Sequence, residues 1–276
     1  METSGFGLIS AGDMFSNRRM HRIFRDDGRS VVVALDHAVG TDVYPALSDP
    51  ARVIDAIAAG GADAILTTAG VVKQFPHHLK SLGVILRADG GNSQLEGGAP
   101  DHRLMHSVED ALRLGADAVG CMGFPGAPLE ARTLQILASL AGECQRWGVP
   151  LMAEMLPGGF TDFSLRTAEN IRLAVRIGVE LGADFIKTEF TGSAESFRQV
   201  TENCYRPVLV LGGSRMDELA LFGMVKTAME AGAAGAVIGR NIWGHPRPQA
   251  MVSALNLLIH HNASVDEAMD ELSSAR

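Results

Sequence analysis

Short apolar runs alternate along this chain with longer stretches in which apolar residues return every three or four positions. The first clear run is Val31-Val32-Val33-Ala34-Leu35, ending in Asp36-His37. It shows no polar alternation, so it predicts a strand covered on both faces, as in a parallel sheet. Ser48-Asp49-Pro50 then supplies a cap and a first-turn proline for a helix that stops at Gly60-Gly61. Ahead of the first strand, residues 11–26 predict an N-terminal helix, with Met14, Arg18 and Arg22 at helical spacing and Asp26-Asp27-Gly28 ending it.

A pattern of glycine, Ala-Asp and apolar strand then recurs. It reads Gly61-Ala62-Asp63, Gly115-Ala116-Asp117 and Gly182-Ala183-Asp184, with a looser copy at Gly232-Ala233-Ala234. Each glycine suits a left-handed helix cap, and each aspartate a tight helix-to-strand turn. The copies lie two helix-and-strand units apart. Further strands fall between them at Val84–Arg87, Pro150–Ala153 and Pro207–Leu211. Helices are expected over Ser107–Leu114, Leu129–Trp147, Ser164–Leu181, Met216–Ala231 and Pro248–His261. Eight alternating strand-helix units, starting near residues 31, 63, 84, 117, 150, 184, 207 and 235, predict a single-domain α/β fold, the (β/α)8 TIM barrel. The domain spans residues 1–276, with 1–28 as a helical extension and 248–276 as C-terminal helices. An open doubly wound sheet would want a glycine-rich turn after the first strand, where Asp36-His37 stands instead.

Composition narrows the function. Aromatic residues make up only 5% of the chain, so the core is built from Ala, Val, Ile, Leu and Met. The net charge of −8 comes without a basic tract, which argues against a nucleic-acid partner but not against an anionic substrate. Cys121, Cys144 and Cys204 have no metal-ligand spacing and cannot all pair, so reduced thiols in the cytoplasm are expected. No apolar run reaches membrane-spanning length, and the N-terminus lacks the apolar core of a signal peptide. His77-His78 and His260-His261 are adjacent pairs that do not share a helix face, so no metal is expected.

In a barrel of this kind the active site lies at the C-terminal ends of the strands. That rule selects Asp36 and His37 after the first strand, Arg87 and Asp89 after the third, and Glu154 on the fifth. The sixth offers Lys187 and Glu189, the seventh Gly212-Gly213-Ser214-Arg215, and the eighth Gly239-Arg240-Asn241. Lysine is scarce: the 24 basic residues include only Lys73, Lys80, Lys187 and Lys226, and Lys187 alone follows buried-looking residues in a strand. Burying an ammonium is costly, and proteins that do so usually exploit its lowered proton affinity for Schiff-base chemistry. The plainer reading is a head group that reaches out to solvent. The glycines after the last two strands suit a phosphate held on those loops, with Arg240 as a forked partner, or simply tight turns. Asp36 and Glu154 are carboxylates on apolar strands, placed to stabilise an iminium ion and move protons; Glu154 could equally pair with an arginine. His37 could bind a substrate hydroxyl or serve as a hydrogen-bonded structural histidine.

With these residues in view, the chain resembles the class I aldolases of the DeoC/FbaB/LacD superfamily. The resemblance runs from LDHAVG through GADFIKTEFTG and PVLVLGG to GAAGAVIGRNIWGHPRPQAM and HHNASVDEA. It is nearest to archaeal-type fructose-bisphosphate aldolase, aminodideoxyheptulosonate synthase and the autoinducer-2 pathway thiolase. It implies Lys187 as the Schiff-base lysine, Asp36 as its carboxylate neighbour, and Gly212, Gly213, Gly239 and Arg240 as phosphate ligands. It also implies catalysis without a cofactor, through an imine on Lys187, by a homo-oligomer. One departure stands out: the proton-donor tyrosine of a YPRG-like segment is replaced by Leu156 in AEMLPGG, and Gly158 stands for the arginine. Glu154 then becomes the candidate acid-base, as in the tagatose-bisphosphate aldolase branch. The expected function is an aldehyde-lyase acting on a phosphorylated ketose. The alternatives are coenzyme A-dependent acyl transfer on a phosphorylated diketone, and a phosphosugar-binding barrel without catalysis.

Overall fold

The computed structural model describes residues 17–37, 43–91, 93, 95 and 101–274. Eight parallel strands close into a barrel: β1 (Ser30–Ala34), β2 (Ala64–Thr67), β3 (Gly83–Arg87), β6 (Ala118–Gly123), β7 (Leu151–Met155), β8 (Phe185–Thr188), β9 (Val208–Leu211) and β10 (Gly235–Ile238). β10 pairs back onto β1, with Ser30 opposite Gly235 and Val33 opposite Ile238. The expected barrel is therefore the observed one. Two short strands, β4 (Asp89–Gly91) and β5 (His102–Leu104), form an antiparallel hairpin after β3. The alternation of longer elements did not reveal that hairpin.

The helices between strands are α1 (Pro50–Ala59), α2 (Ala69–Gln74), α3 (Val108–Arg113), α4 (Glu130–Trp147), α5 (Ala168–Glu180), α6 (Ala194–Glu202) and α7 (Glu218–Glu230). A single turn, α8 (Arg240–Trp243), follows β10, and α9 (Pro248–His260) and α10 (Val265–Ser274) pack together at the C-terminus. Among the described residues, no helix is long and apolar enough to cross a membrane. The expected N-terminal helix is corrected: its described part is a 3-10 helix limited to Arg18–Arg22, and residues 11–16 lie outside the described residues.

That short helix has a clear task. Met20, Ile23 and Phe24 join Val32, Ala64, Leu66, Ile85, Ala118, Met152, Phe185, Leu209 and Val237 in one buried cluster, which fills the barrel interior and plugs its lower end. Phe24 meets the edge of Phe185 with ring centroids 5.3 Å apart. Side chains alternate along a strand, so the residues two places beyond the inward Ile85, Met152 and Phe185 also point inward. Those residues are Arg87, Glu154 and Lys187. The outward set, including Val33, Ile65, Leu86, Ala153 and Ile186, packs under the helices.

The recurring Gly-Ala-Asp has a physical explanation. Gly61, Gly115, Gly182 and Gly232 all have positive φ, between 78° and 104°, which only glycine adopts without strain. Each aspartate then reaches the first free N–H of the preceding barrel strand. Asp63 accepts from Val31 at 2.7 Å, Asp117 from Val84 at 2.9 Å and Asp184 from Leu151 at 2.9 Å. In the looser fourth copy alanine stands for the aspartate, and Ala234 keeps backbone bonds alone, donating to Val208 O and accepting from Ser30 N–H. Gly235 lies so close beneath that a Cβ there would stand 1.9 Å from the Ser30 carbonyl.

Asp184 tests this account. Asp184→Ala would leave the Leu151 N–H without its partner and cost about 1–3 kcal/mol. Asp184→Asn keeps the acceptor without the charge. Burial pushes the Asp184 carboxyl above its ordinary value, so its ionisation destabilises the fold above the raised folded pKa and has no effect below the unfolded one. Asp184→Asn should therefore match or exceed the parent in thermal stability near neutral pH. That advantage should fade below about pH 4, which unfolding curves recorded across pH will read.

Candidate active site

At the C-terminal mouth the inward positions turn from apolar to charged. Arg87 from β3, Glu154 from β7 and Lys187 from β8 are all buried, and Lys187 is only 7% exposed. β7 and β8 are registered so that Glu154 lies opposite Lys187. The two side chains meet there, with Lys187 Nζ 2.6 Å from Glu154 Oε1. Arg87 donates to the other oxygen of Glu154 at 2.5 Å and, through Nε, to Asp36 at 2.8 Å. A third contact runs from Arg87 Nη1 to Asp89 at 3.4 Å. Asp36 stands just beyond β1, with His37 Nδ1 3.7 Å from its carboxylate.

These contacts fix the charge states of the acids. Burial alone would raise the Asp36 carboxyl, but the charges of Arg87, Lys187 and His37 outweigh it and hold it below the ordinary carboxylate value. Burial acts the same way on Glu154, and Lys187 and Arg87 again prevail, over repulsion from Asp36 as well. Desolvation disfavours the Arg87 cation, yet its three carboxylate neighbours raise it further above its already high value. His37 is moved the other way: burial lowers it, Lys187 and Arg240 add to the effect, and Asp36 and Glu154 oppose it. The site thus holds two ionised carboxylates around a permanently charged guanidinium, with one amine among them.

His37 belongs to an aromatic wall. Its ring packs edge-on to Trp243 at 5.3 Å and to Tyr44 at 6.3 Å, and Trp243 is fastened by Nε1 donating to Ala34 O at 2.9 Å. Gly239 makes room for this wall: a Cβ there would stand 2.4 Å from His37 Cε1. The loops after β9 and β10 are tied together. Asn241 donates to the carbonyls of Gly212 and Ser214 and accepts from Met216 N–H, while Arg240 donates to Gly213 O at 3.1 Å. The Nε of Arg240 is buried without a hydrogen-bond partner in the described structure.

Three sequence readings are adjusted by this geometry. Asp89 is no substrate ligand: its side chain is wholly buried, with Oδ2 accepting from His102 Nε2 at 2.6 Å and from Met122 N–H at 2.6 Å. Gly212 gives its N–H to Val237 O at 3.3 Å, and a Cβ there would press on Ile238, so this glycine serves barrel packing rather than an anion. Glu189, expected beside Lys187 as a substrate ligand, is paired with Arg166, which also donates to Gly159 O and lies 4.4 Å over the Phe163 ring. Glu154 has the arginine partner that its plainer reading expected, and it meets the lysine as well.

Arg166, His102 and Trp243 were missed. Arg166 follows a single 3-10 turn and His102 lies on a three-residue strand, both too short to show a period. Trp243 lies in the run IGRNIW just after β10, beside the selected Arg240 and Asn241, and was legible by position.

Comparison with known proteins agrees with this geometry. The family model described as DeoC/LacD family aldolase matches residues 30–245. The 2-amino-3,7-dideoxy-D-threo-hept-6-ulosonate synthase of Halobacterium salinarum is 33% identical over 257 residues, covering 93% of this chain and 96% of its own. The 2-amino-4,5-dihydroxy-6-oxo-7-(phosphonooxy)heptanoate synthase of Streptomyces griseus is 32% identical, covering 90% of each. An archaeal fructose-1,6-bisphosphate aldolase, solved with its catalytic lysine covalently bound to the carbinolamine intermediate of the substrate, aligns with a TM-score of 0.80. That structure is 28% identical and covers 88% of this chain and 98% of that one. Eight-stranded closure, a buried lysine against a strand-borne carboxylate, and these matches lead to one conclusion: the chain belongs to the DeoC/LacD family of aldolases.

Proposed function

We propose that the protein is a Schiff-base aldolase that makes or cleaves a carbon–carbon bond in a phosphorylated ketose, with Lys187 as the nucleophile. The observation that carries this reading is the buried Lys187–Glu154 contact of 2.6 Å at the barrel mouth. A lysine must shed a proton before it attacks a carbonyl, and Glu154 is the group in hydrogen-bond reach to take it. The amine then adds to the ketone carbon, giving a carbinolamine. Returning the proton from Glu154 to the carbinolamine oxygen releases water and leaves a protonated imine.

The imine is the electron sink for bond cleavage. A base removes the proton of the hydroxyl on the far carbon of the bond to be broken, the carbon that becomes the aldehyde. The electron pair of that bond moves onto the imine carbon skeleton, an aldehyde departs, and an enamine remains. Protonation of the enamine and hydrolysis return Lys187 and the second product; condensation runs the same steps backward. Glu154, held ionised like its neighbour Asp36, is the base in this scheme, because Leu156 has no proton to exchange. Gly213, Ser214, Gly239 and Arg240 are assigned to the substrate phosphate, and His37 to a substrate hydroxyl. Both assignments follow from the position of these residues around Lys187.

Three outcomes test the scheme. Borohydride added with a phosphorylated ketose should fix a covalent adduct on Lys187, located by peptide mass spectrometry; an unmodified Lys187 in an active preparation would overturn the proposal. Glu154→Gln should lower kcat by about 10²–10⁴-fold while leaving some trapping at Lys187, measured by steady-state and single-turnover assays. Arg87→Gln removes the cation that keeps Asp36 and Glu154 ionised, so burial should raise both carboxyls. Activity that in the parent is lost only as pH falls through lowered carboxylate values should be lost at higher pH in this variant. The acid limb of kcat/KM reads the shift.

A further inference from the structure

We propose that His102, acting through Asp89, is a positioning residue for the Arg87–Glu154–Lys187 constellation. The proposal rests on the reading of Lys187 and Glu154 given above, and it concerns a residue on the hairpin outside the barrel sheet. His102 lies on β5, and its side chain is only 8% exposed. Its Nε2 is 2.6 Å from Asp89 Oδ2. A carboxylate can only accept, so the ring nitrogen donates. The ring is held by edge contact with Phe124 at 5.2 Å, and the backbone carbonyl of His102 accepts from Arg132 Nε. The hairpin therefore presents a fixed donor to a wholly buried acid.

That donor matters because of what Asp89 would otherwise do. Arg87 faces three carboxylates, Asp36, Asp89 and Glu154, and has one face of N–H groups for each. Its bonds to Asp36 at 2.8 Å and Glu154 at 2.5 Å are short, and its approach to Asp89 is the loosest of the three at 3.4 Å. Arg87 reaches Asp89 only at Oδ1, and Asp89 stays a weak competitor because its charge is already served at Oδ2, by His102 Nε2–H and by Met122 N–H. Without the His102 donor, a buried carboxylate loses one of its two close partners, and the guanidinium is the nearest replacement. Arg87 would turn toward Asp89 and away from Glu154 and Asp36. The oxygen of Glu154 that meets Lys187 would then lose its fixed placement, since the other oxygen of the same carboxylate is held by Arg87.

The test compares a donor-less and a donor-bearing replacement in the full-length protein. His102→Phe keeps a ring against Phe124 but has no N–H for Asp89; His102→Gln places an amide N–H at similar reach. With a phosphorylated ketose as substrate, His102→Phe should lower kcat by about tenfold to a hundredfold with little change in KM. Its acid limb should move to higher pH, because Asp36 and Glu154 lose part of the Arg87 field while Lys187 and His37 remain beside them. His102→Gln should recover most of both effects. An unchanged kcat and pH profile in His102→Phe would overturn the proposal. So would equal losses in the Phe and Gln variants accompanied by equal falls in thermal stability, which would make His102 a prop for the hairpin only. If His102→Phe does not fold, His102→Leu takes its place against His102→Gln, and an equal kcat in that pair overturns the proposal. Borohydride trapping on the parent protein separates the two readings: trapping at Lys187 with an inert His102 refutes this inference alone, whereas absent trapping refutes the nucleophile.

Discussion

The mouth of this barrel is organised by one guanidinium. Arg87 sits in the barrel interior, where a lone cation would be expelled, and it is retained because three acids converge on it. The dependence is mutual. Asp36 and Glu154 are equally buried, and burial by itself would protonate them; Arg87 is the largest opposing influence on Asp36 and the second on Glu154, after Lys187. Arginine suits the place better than lysine, because its planar fork presents separate donors to acids arriving from β1, β4 and β7. The positions of these acids, and through Glu154 that of Lys187, are thus set by one side chain.

The fold supplies this arrangement through register. β7 and β8 are paired with Glu154 opposite Lys187, and a shift of one residue would send both outward into the helical layer. That register is pinned at the other end of the strands. Asp184 ties the start of β8 to Leu151 on β7, and Asp117 ties β6 to Val84 on β3. The apolar plug of Met20, Ile23 and Phe24 closes the lower end, so the interior beneath the charged layer is apolar. The repeated Gly-Ala-Asp is therefore tied to the chemistry at the mouth through the length of each strand, although none of its residues lies there.

Much of this was legible in the chain itself. Uninterrupted β-branched runs gave the buried strands, their count gave the barrel, and the barrel rule placed Asp36, Arg87, Glu154 and Lys187 at one end. What periodicity cannot carry is pairing between side chains from different strands. Arg87 and Asp89 were both selected, but nothing in their spacing shows that one reaches Glu154 and the other His102. The hairpin escaped notice because three-residue strands are too short to show a pattern. Gly212 was read as a phosphate-holding residue from its place in a glycine doublet, whereas its N–H is taken by Val237 O and a Cβ there would press on Ile238.

The replacement of an aromatic proton donor by Leu156 then has a physical sense in the proposed scheme. A tyrosine gives up its proton only reluctantly and needs no cation beside it to stay neutral. A carboxylate used as a base must remain ionised in a buried site, and this requires a permanent positive charge within bonding distance. Glu154 has that charge in Arg87, on the oxygen that does not face Lys187. A strand-borne glutamate without such an arginine would take up a proton on burial and lose its function as a base. In the proposed scheme Glu154 and Arg87 therefore work as a pair, and a leucine at position 156 costs it nothing.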